Sequence, residues 1–333
     1  QANTTASENT AVGYQALYAN TTGPYNVALG FQAVKANTTG ERNTGLGYSA
    51  LRANTTGNKN TAVGMYSLLS STTGSFNAAL GDGALQANTT APENVAIGYQ
   101  AMYENTTGTL NTAVGTYALQ NNIANNNSAF GHQSLFNNTT GESNTAMGYL
   151  TLNTNVIGIN NSAFGHYALY ANTTSNNSGF GYKALRSNTT GTYNVAVGTS
   201  ALTSNTIGSK NAALGFGALF ANTIGDNNSA FGYAALNSNT TGIQNTAIGS
   251  GALLNNTIGV QNTAVGVNTL RLNTTGNSNI AIGNDALEKN TTADNNIAIG
   301  TSVLNKNTVG SRNTAVGVGA LNNNVSGSVN NAF

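Results

Sequence analysis

The chain has no cysteine and no tryptophan, two prolines in 333 residues, and charged side chains at only 6% of positions. Without cysteine there is no disulfide scaffold and no thiol chemistry. Ordinary soluble domains carry roughly 25% charged residues; here Asn, Thr, Ser and Gly must meet water instead. Eleven basic and ten acidic residues give a net charge of +1. They are scattered, so they supply no field for steering nucleic acid or an anionic membrane surface. No stretch approaches the roughly 20 consecutive apolar residues of a transmembrane helix, so no membrane insertion is expected.

What is present is repetition. The unit Asn9 to Tyr25, NTAVGYQALYANTTGPY, returns throughout the chain, and the glycine after its first apolar run recurs from Gly13, Gly30 and Gly47 to Gly317. Sixteen of the eighteen intervals are 17 residues and two are 16. A short fixed period over a whole chain is the signature of a solenoid, in which one coil cannot bury its apolar side alone. The expected fold is all-β: a parallel β-solenoid, of β-roll or β-helix type, with about 20 coils of 17 residues in one continuous array over residues 1–333. Coils stacked about 4.8 Å apart make a rod on the order of 90 to 95 Å long. The sequence opens at Gln1 and closes at Phe333 in mid-repeat, with neither initiator Met nor signal peptide. A processed or partial chain, or the ordered part of something longer, is expected on that ground.

Counting from the first Asn of the unit, position 1 is Asn in all twenty copies: Asn9, Asn26, Asn43, Asn60, Asn77, Asn94, Asn111, Asn127, Asn144, Asn161, Asn177, Asn194, Asn211, Asn228, Asn245, Asn262, Asn279, Asn296, Asn313 and Asn330. Stacked amides of this kind form a ladder and cap backbone groups freed at a corner. Position 3 is Ala in eighteen copies and Gly in two, Gly45 and Gly179, while position 4 is always large and apolar. This alternation predicts a strand, with the position 5 glycine at a bend. Where position 2 is Ser, at Ser128, Ser162, Ser178 and Ser229, position 4 is Phe. Such volume compensation predicts that positions 2 and 4 share a buried face.

Positions 6 to 10, YQALY in the first copy, carry Leu at 9 almost throughout and often an aromatic residue at 6. The run is too short for a helix beside a strand, so a second strand is expected there. Positions 12 to 14 read NTT, with Thr alternating with Ile or Val at 14, which predicts a third, partly buried strand. Gly at 15 and variable residues at 16 and 17 read as an exposed turn. Both 16-residue coils lose their residue in this region, in Asn125 to Asn127 and Ser175 to Asn177.

Raw material for chemistry is sparse. His132 and His166 both stand at position 6 two coils apart, about 9.6 Å along the stack, too far to share a metal. The ten acids stand mostly in turns (Glu8, Glu41, Glu93, Glu142, Asp226, Asp294) and recur at no fixed pair of positions. No catalytic, cofactor-binding or metal site is expected, and no enzymatic activity. The NTT runs are also N-glycosylation sequons, at Asn3, Asn20, Asn37, Asn54, Asn88, Asn105, Asn138, Asn172, Asn188, Asn239, Asn273 and Asn290. A structural ladder is the favoured account of these asparagines. Asn persists at Asn155, Asn205, Asn222, Asn256 and Asn307, where Ile or Val at position 14 destroys the sequon.

The motifs NTAVG, NVAIG (94–98), NVAVG (194–198) and NIAIG (279–283 and 296–300) resemble the SVAIG-like core of the head repeats of trimeric autotransporter adhesins. They are also similar to repeats in bacteriophage tail fibres and bacterial surface proteins. The resemblance implies a left-handed parallel β-roll, packed as a trimer, carried outside the cell and binding surfaces. The NTTG segment makes the unit longer than the family's coil. These features lead to an extracellular or cell-surface structural rod, part of an adhesin, fibre or filament. Self-association is expected, end to end or as a lateral trimer, with a surface or glycan ligand and no nucleic acid. The alternatives are a phage tail-fibre shaft and an ice-binding solenoid using its Thr and Asn ranks, since ice-inhibiting β-rolls look similar to this coil. Positions 13 and 14 read Thr-Ile in several coils, which interrupts that rank.

Overall fold

Alternation over positions 2 to 4 produces the strand the sequence predicts, and no other strand forms in the coil. In this computed structural model, which describes residues 4–333, each coil contributes one short strand. The series begins with β1 (Thr10–Val12) and β2 (Val27–Leu29) and ends with β19 (Thr314–Val316) and β20 (Asn331–Ala332). Neighbours pair in parallel and in register, so that Thr10 faces Val27, Ala11 faces Ala28 and Val12 faces Leu29. Two units are formed, Gln1–Ala163 and Phe164–Phe333. The first stacks β1 to β9 (Thr145–Met147), the second β11 (Ser178–Phe180) to β20, and β10 (Ser162–Phe164) contains the boundary. The fold is a parallel β-solenoid with about 17 residues per turn, and no helix occurs among the described residues.

The second and third strands expected at positions 6 to 10 and 12 to 14 do not form; those residues are turns and bends. The reason is local handedness. Position 9 takes a left-handed φ of 46° to 53° in every coil, even where it is the β-branched Val34, and position 7 does the same, as at Gln15 (φ 55°) and Gln32 (φ 54°). Each such residue costs about 1–2 kcal/mol, so something must offset it in every coil. Cross-coil hydrogen bonds do. With φ changing sign at successive residues, the Gln32 N–H donates to Tyr14 O of the coil before (2.8 Å). The Val34 N–H donates to Ala50 O of the coil after (2.9 Å), and the Ala36 N–H to Arg52 O (2.9 Å). The backbone is thus stitched to both neighbours where no strand exists, which meets the demand that buried backbone groups be paired.

The faces of the strand are the reverse of the expectation. Position 3 points inward, with Ala28, Ala62, Ala96 and Ala196 at 0% exposure, while positions 2 and 4 point out, as at Val195 (45%) and Leu214 (50%). Inside each coil, Ala at 3 and 8 and Leu at 9 form the apolar half of the core. The space is so narrow that a Cβ on Gly45 would lie 2.5 Å from Val34 Cγ2. Only the smallest side chains fit at 3, so the large residue at 4 has to go outside. The Ser and Phe coupling is real but external. Positions 2 and 4 share the outer face, where the Phe164 and Phe180 rings stack at 5.0 Å. A small residue at 2 leaves room for a ring, and Phe180 is less exposed (37%) than the smaller Leu214.

The glycine at position 5 behaves as expected. Gly47 has φ 136°, and a Cβ there would stand 2.6 Å from Gly64 O in the next coil. Polar exceptions at position 8 are satisfied in place: Ser67 Oγ–H donates to Gly64 O at 2.9 Å and Ser134 Oγ–H to Gly131 O at 3.1 Å.

The inward and outward assignments are separable by mutation. Ala196→Leu is expected to destabilise by about 1–3 kcal/mol or more through overpacking, whereas Val197→Thr on the outer face stays within about 0.5 kcal/mol. Urea unfolding of the two variants checks this; equal effects would overturn the assignment of faces.

Candidate functional site: amide ladders inside, apolar and aromatic ranks outside

Position 1 forms the first ladder. The amides from Asn26 to Asn313 are buried, with Asn9 and Asn330 half-buried. Asn26 Oδ1 accepts the Asn43 N–H at 2.8 Å, and its Nδ2 donates to Gly40 O at 2.9 Å, closing the two ends of one coil. Position 12 forms the second ladder. Asn37 Nδ2 donates to Asn20 Oδ1 of the coil before (2.7 Å) and to the same Gly40 O (2.9 Å). Both ladders therefore meet on the carbonyl at position 15. That glycine is buried rather than part of an exposed turn. A Cβ on Gly40 would strike Gly57 O of the next coil and Asn37 Oδ1. The outer turn begins at position 16, where Asp226 Oδ1 accepts the Ser209 N–H (2.7 Å) and Asp294 Oδ1 the Asn277 N–H (2.6 Å). Two of the scattered acids thus cap the backbone, in a third rank shared with Asn and Ser that the recurrence of these residues at position 16 could have disclosed.

This geometry decides what the sequon asparagines do. Asn20, Asn37, Asn54, Asn88, Asn105, Asn138, Asn172, Asn188, Asn239, Asn273 and Asn290 are all between 0% and 2% exposed. Asn188 Nδ2, for example, donates to Asn172 Oδ1 at 2.7 Å and to Gly191 O at 2.9 Å. A sugar on such a nitrogen would displace a buried donor in a closed space, so the folded coil has no room for one. Asn3 lies outside the described residues. The Thr at position 13 is occupied too, since Thr21 Oγ1–H donates to Thr38 O at 3.0 Å.

The second ladder has gaps where the repeat is broken. Ser71 replaces Asn at position 12, and both Ser71 Oγ and Asn54 Oδ1 of the coil before are buried without a partner. Asn122, in a 16-residue coil, turns its Nδ2 to Ala124 O at 2.8 Å, and Asn105 Oδ1 before it is unpartnered. Asn155 Oδ1 is the remaining such atom among the described residues.

Outside, position 4 is 38% to 55% exposed at Val12, Leu29, Leu80, Ile97, Met147 and Leu214, and half-buried at others such as Leu46, Val114 and Val265. Position 6 carries an aromatic rank whose rings stack on one another: Tyr14 on Phe31 at 5.4 Å, Phe31 on Tyr48 at 5.0 Å, and Phe216 on Tyr233 at 5.6 Å. The histidines belong to this rank. His132 stacks on Tyr149 at 5.4 Å, and His166 meets Tyr182 of the next coil edge-on at 5.8 Å while stacking on its own neighbour Tyr167 at 4.4 Å. Tyr99 is held above the usual phenol range, first by the adjacent Tyr117 phenol and secondarily by burial, by its hydrogen bond to Tyr117 and by Asp82 and Tyr103. Among the described residues no three of His, Cys, Asp or Glu converge, and ion pairs are confined to Arg42 with Glu41 (3.6 Å) and Arg271 with Glu288 (3.2 Å). No protein-family model matches the chain, and no curated protein matches it.

The ladders make opposite predictions at two sites. Asn194→Leu removes the acceptor of the Asn211 N–H and the donor to Gly208 O, and is expected to cost a few kcal/mol, about 1–3 for each buried group left unpaired. Ser71→Asn restores two missing partners and is expected to stabilise by about 1–3 kcal/mol. Thermal melts of both variants check the pair; an unchanged melting temperature for Asn194→Leu would sink the ladder account.

Proposed function

We propose that the chain is a non-enzymatic structural element that works outside the cell or at its surface by assembling with copies of itself, as the shaft or head of an adhesin, fibre or phage tail fibre. The observation that carries this reading is the outward apolar rank. Positions 2 and 4 hold no Asp, Glu, Lys or Arg in any of the twenty copies, although position 4 is half exposed through most coils. Within each unit, contiguous exposed apolar surface of this kind marks an interaction face. A partner that covers it coil after coil must repeat with the same spacing, and a second copy of this chain has that spacing by construction. The scarcity of titratable side chains and the resemblance of the NTAVG cores to adhesin head repeats support the same reading.

A second reading, ice binding, is favoured by one observation. Thr22, Thr39, Thr56, Thr73, Thr90 and Thr107 form an unbroken exposed rank at position 14 over six coils. Against it, the Thr hydroxyls at position 13 donate to the backbone carbonyl at position 13 of the next coil, and Ile157, Ile207 and Ile258 occupy position 14 later in the chain.

Assembly is expected in light scattering and electron microscopy, and Ile97→Lys with Ile248→Lys is expected to dissociate it while leaving the circular dichroism unchanged. A wild-type monomer at high concentration would overturn the reading. Thermal hysteresis in the monomeric variant would turn the assignment to ice binding.

A further inference from the structure

One groove lies on the turn surface of the first unit, away from the ladders. Positions 10 and 11 of the first four coils line an open groove of about 640 Å³, within the range of roughly 300–1,000 Å³ typical of ligand sites. Its floor is made by Ala19, Ala36 and Ala53, side chains too small to fill the space between their longer neighbours. Tyr18 closes one end and Leu69 the other, and Lys35 and Arg52 rise between them from successive coils.

The two cations are what make this a site. Neither takes part in an ion pair or stands over an aromatic ring. Four other cations stand over rings, Arg42 over Tyr25, Lys59 over Phe76, Lys183 over Tyr182 and Arg186 over Tyr167, whereas Lys35 and Arg52 stand at the same position of successive coils and line one groove. At the same position 10 in the second unit, Arg271 is neutralised by Glu288 of the following coil. No acid stands at position 10 or 11 in the first four coils. The groove thus holds two uncompensated positive charges about 4.8 Å apart along the stack, in a chain whose net charge is only +1.

We propose that this groove binds a short stretch of an acidic polysaccharide, laid along the coil stack with successive anionic groups against Lys35 and Arg52. Four coils span about 14 Å by the same spacing, so the bed is long enough for an extended polymer rather than a single ion. The flat alanine floor accepts a chain of pyranose rings, and the Tyr18 and Ser70 hydroxyls offer hydrogen-bonding groups to its hydroxyls. Nucleic acid is poorly served, because its affinity is built from many phosphate contacts and two cations supply few. The proposal rests on the extracellular reading above, where such polymers occur, and identifies the class of its surface ligand.

Isothermal titration of the whole chain at low salt tests it, with oligogalacturonate as probe and neutral dextran of matched length as control. Oligogalacturonate is expected to bind and dextran not. Lys35→Gln with Arg52→Gln is expected to weaken binding by about tenfold or more, and Arg271→Gln to leave it unchanged. Absence of binding, or equal affinity in the double variant, would overturn the proposal. So would equal binding of an oligothymidylate or a polyglutamate probe at the same residues, which would reduce the groove to a general anion site. Light scattering on the same samples separates the two readings. Loss of assembly in Ile97→Lys with Ile248→Lys, with oligogalacturonate binding retained, shows the groove to be independent of the apolar face. A monomeric wild type that still binds overturns the assembly reading and keeps this one.

Discussion

Everything in the coil depends on the carbonyl at position 15. Asn at position 1, from the start of the coil, and Asn at position 12, just before the carbonyl, both aim their Nδ2 at it, while each also bonds to the neighbouring coil. Closing a coil and stacking it are therefore one interaction. A globular core closes its loops by burying large apolar side chains; this chain buries about one Leu per coil, with two Ala beside it. Buried amides are costly when unpaired and stabilising when paired. The architecture can use so many because the repeat supplies each amide with an identical partner above and below.

The narrowness this imposes governs the outer surface. A lumen shared by two amide ladders leaves room at position 3 for a methyl group at most, so the strand's bulky residues are turned outward. The turn from 6 to 11 cannot extend, because its left-handed residues send N–H groups alternately to the coil before and the coil after. Solvent consequently meets an apolar rank at 4 beside uncharged Thr, Ser and apolar residues at 2, stacked rings at 6, and a variable rim at 10, 11, 14, 16 and 17.

Much of this was legible in the sequence. The period, the parallel strand at 2 to 4, the glycine corner and the asparagine ladders all follow from residue types that recur without exception or nearly so. What misled was size. Phe at 4 paired with Ser at 2 reads as a confined interior, and the coupling exists, but alternation alone defines two faces without saying which is inside. The constancy of Ala at 3, beside the variety of Val, Leu, Ile, Phe and Met at 4, was the better guide, since confinement restricts a position and exposure frees it. The left-handed turn had no such signal. Leu and Gln are unremarkable residues whose positive φ comes from cross-coil hydrogen bonding and not from local preference. The groove over positions 10 and 11 was also out of reach, because it depends on Ala at 11 lying between longer side chains of adjacent coils.

The irregular coils acquire a meaning from the regular ones. A slip of one whole coil returns every amide to an equivalent partner, so the ladders hold neighbours together without specifying which coil is the neighbour. Translational symmetry of that kind is a hazard during folding, when mispaired arrays would be nearly degenerate with the native one. Ser71 and the shortened coil ending at Asn126 lift the degeneracy. Displacing either by one repeat sets its gap against a different partner and a different outer turn. These interruptions act as punctuation, letting a monotonous text be read in one frame.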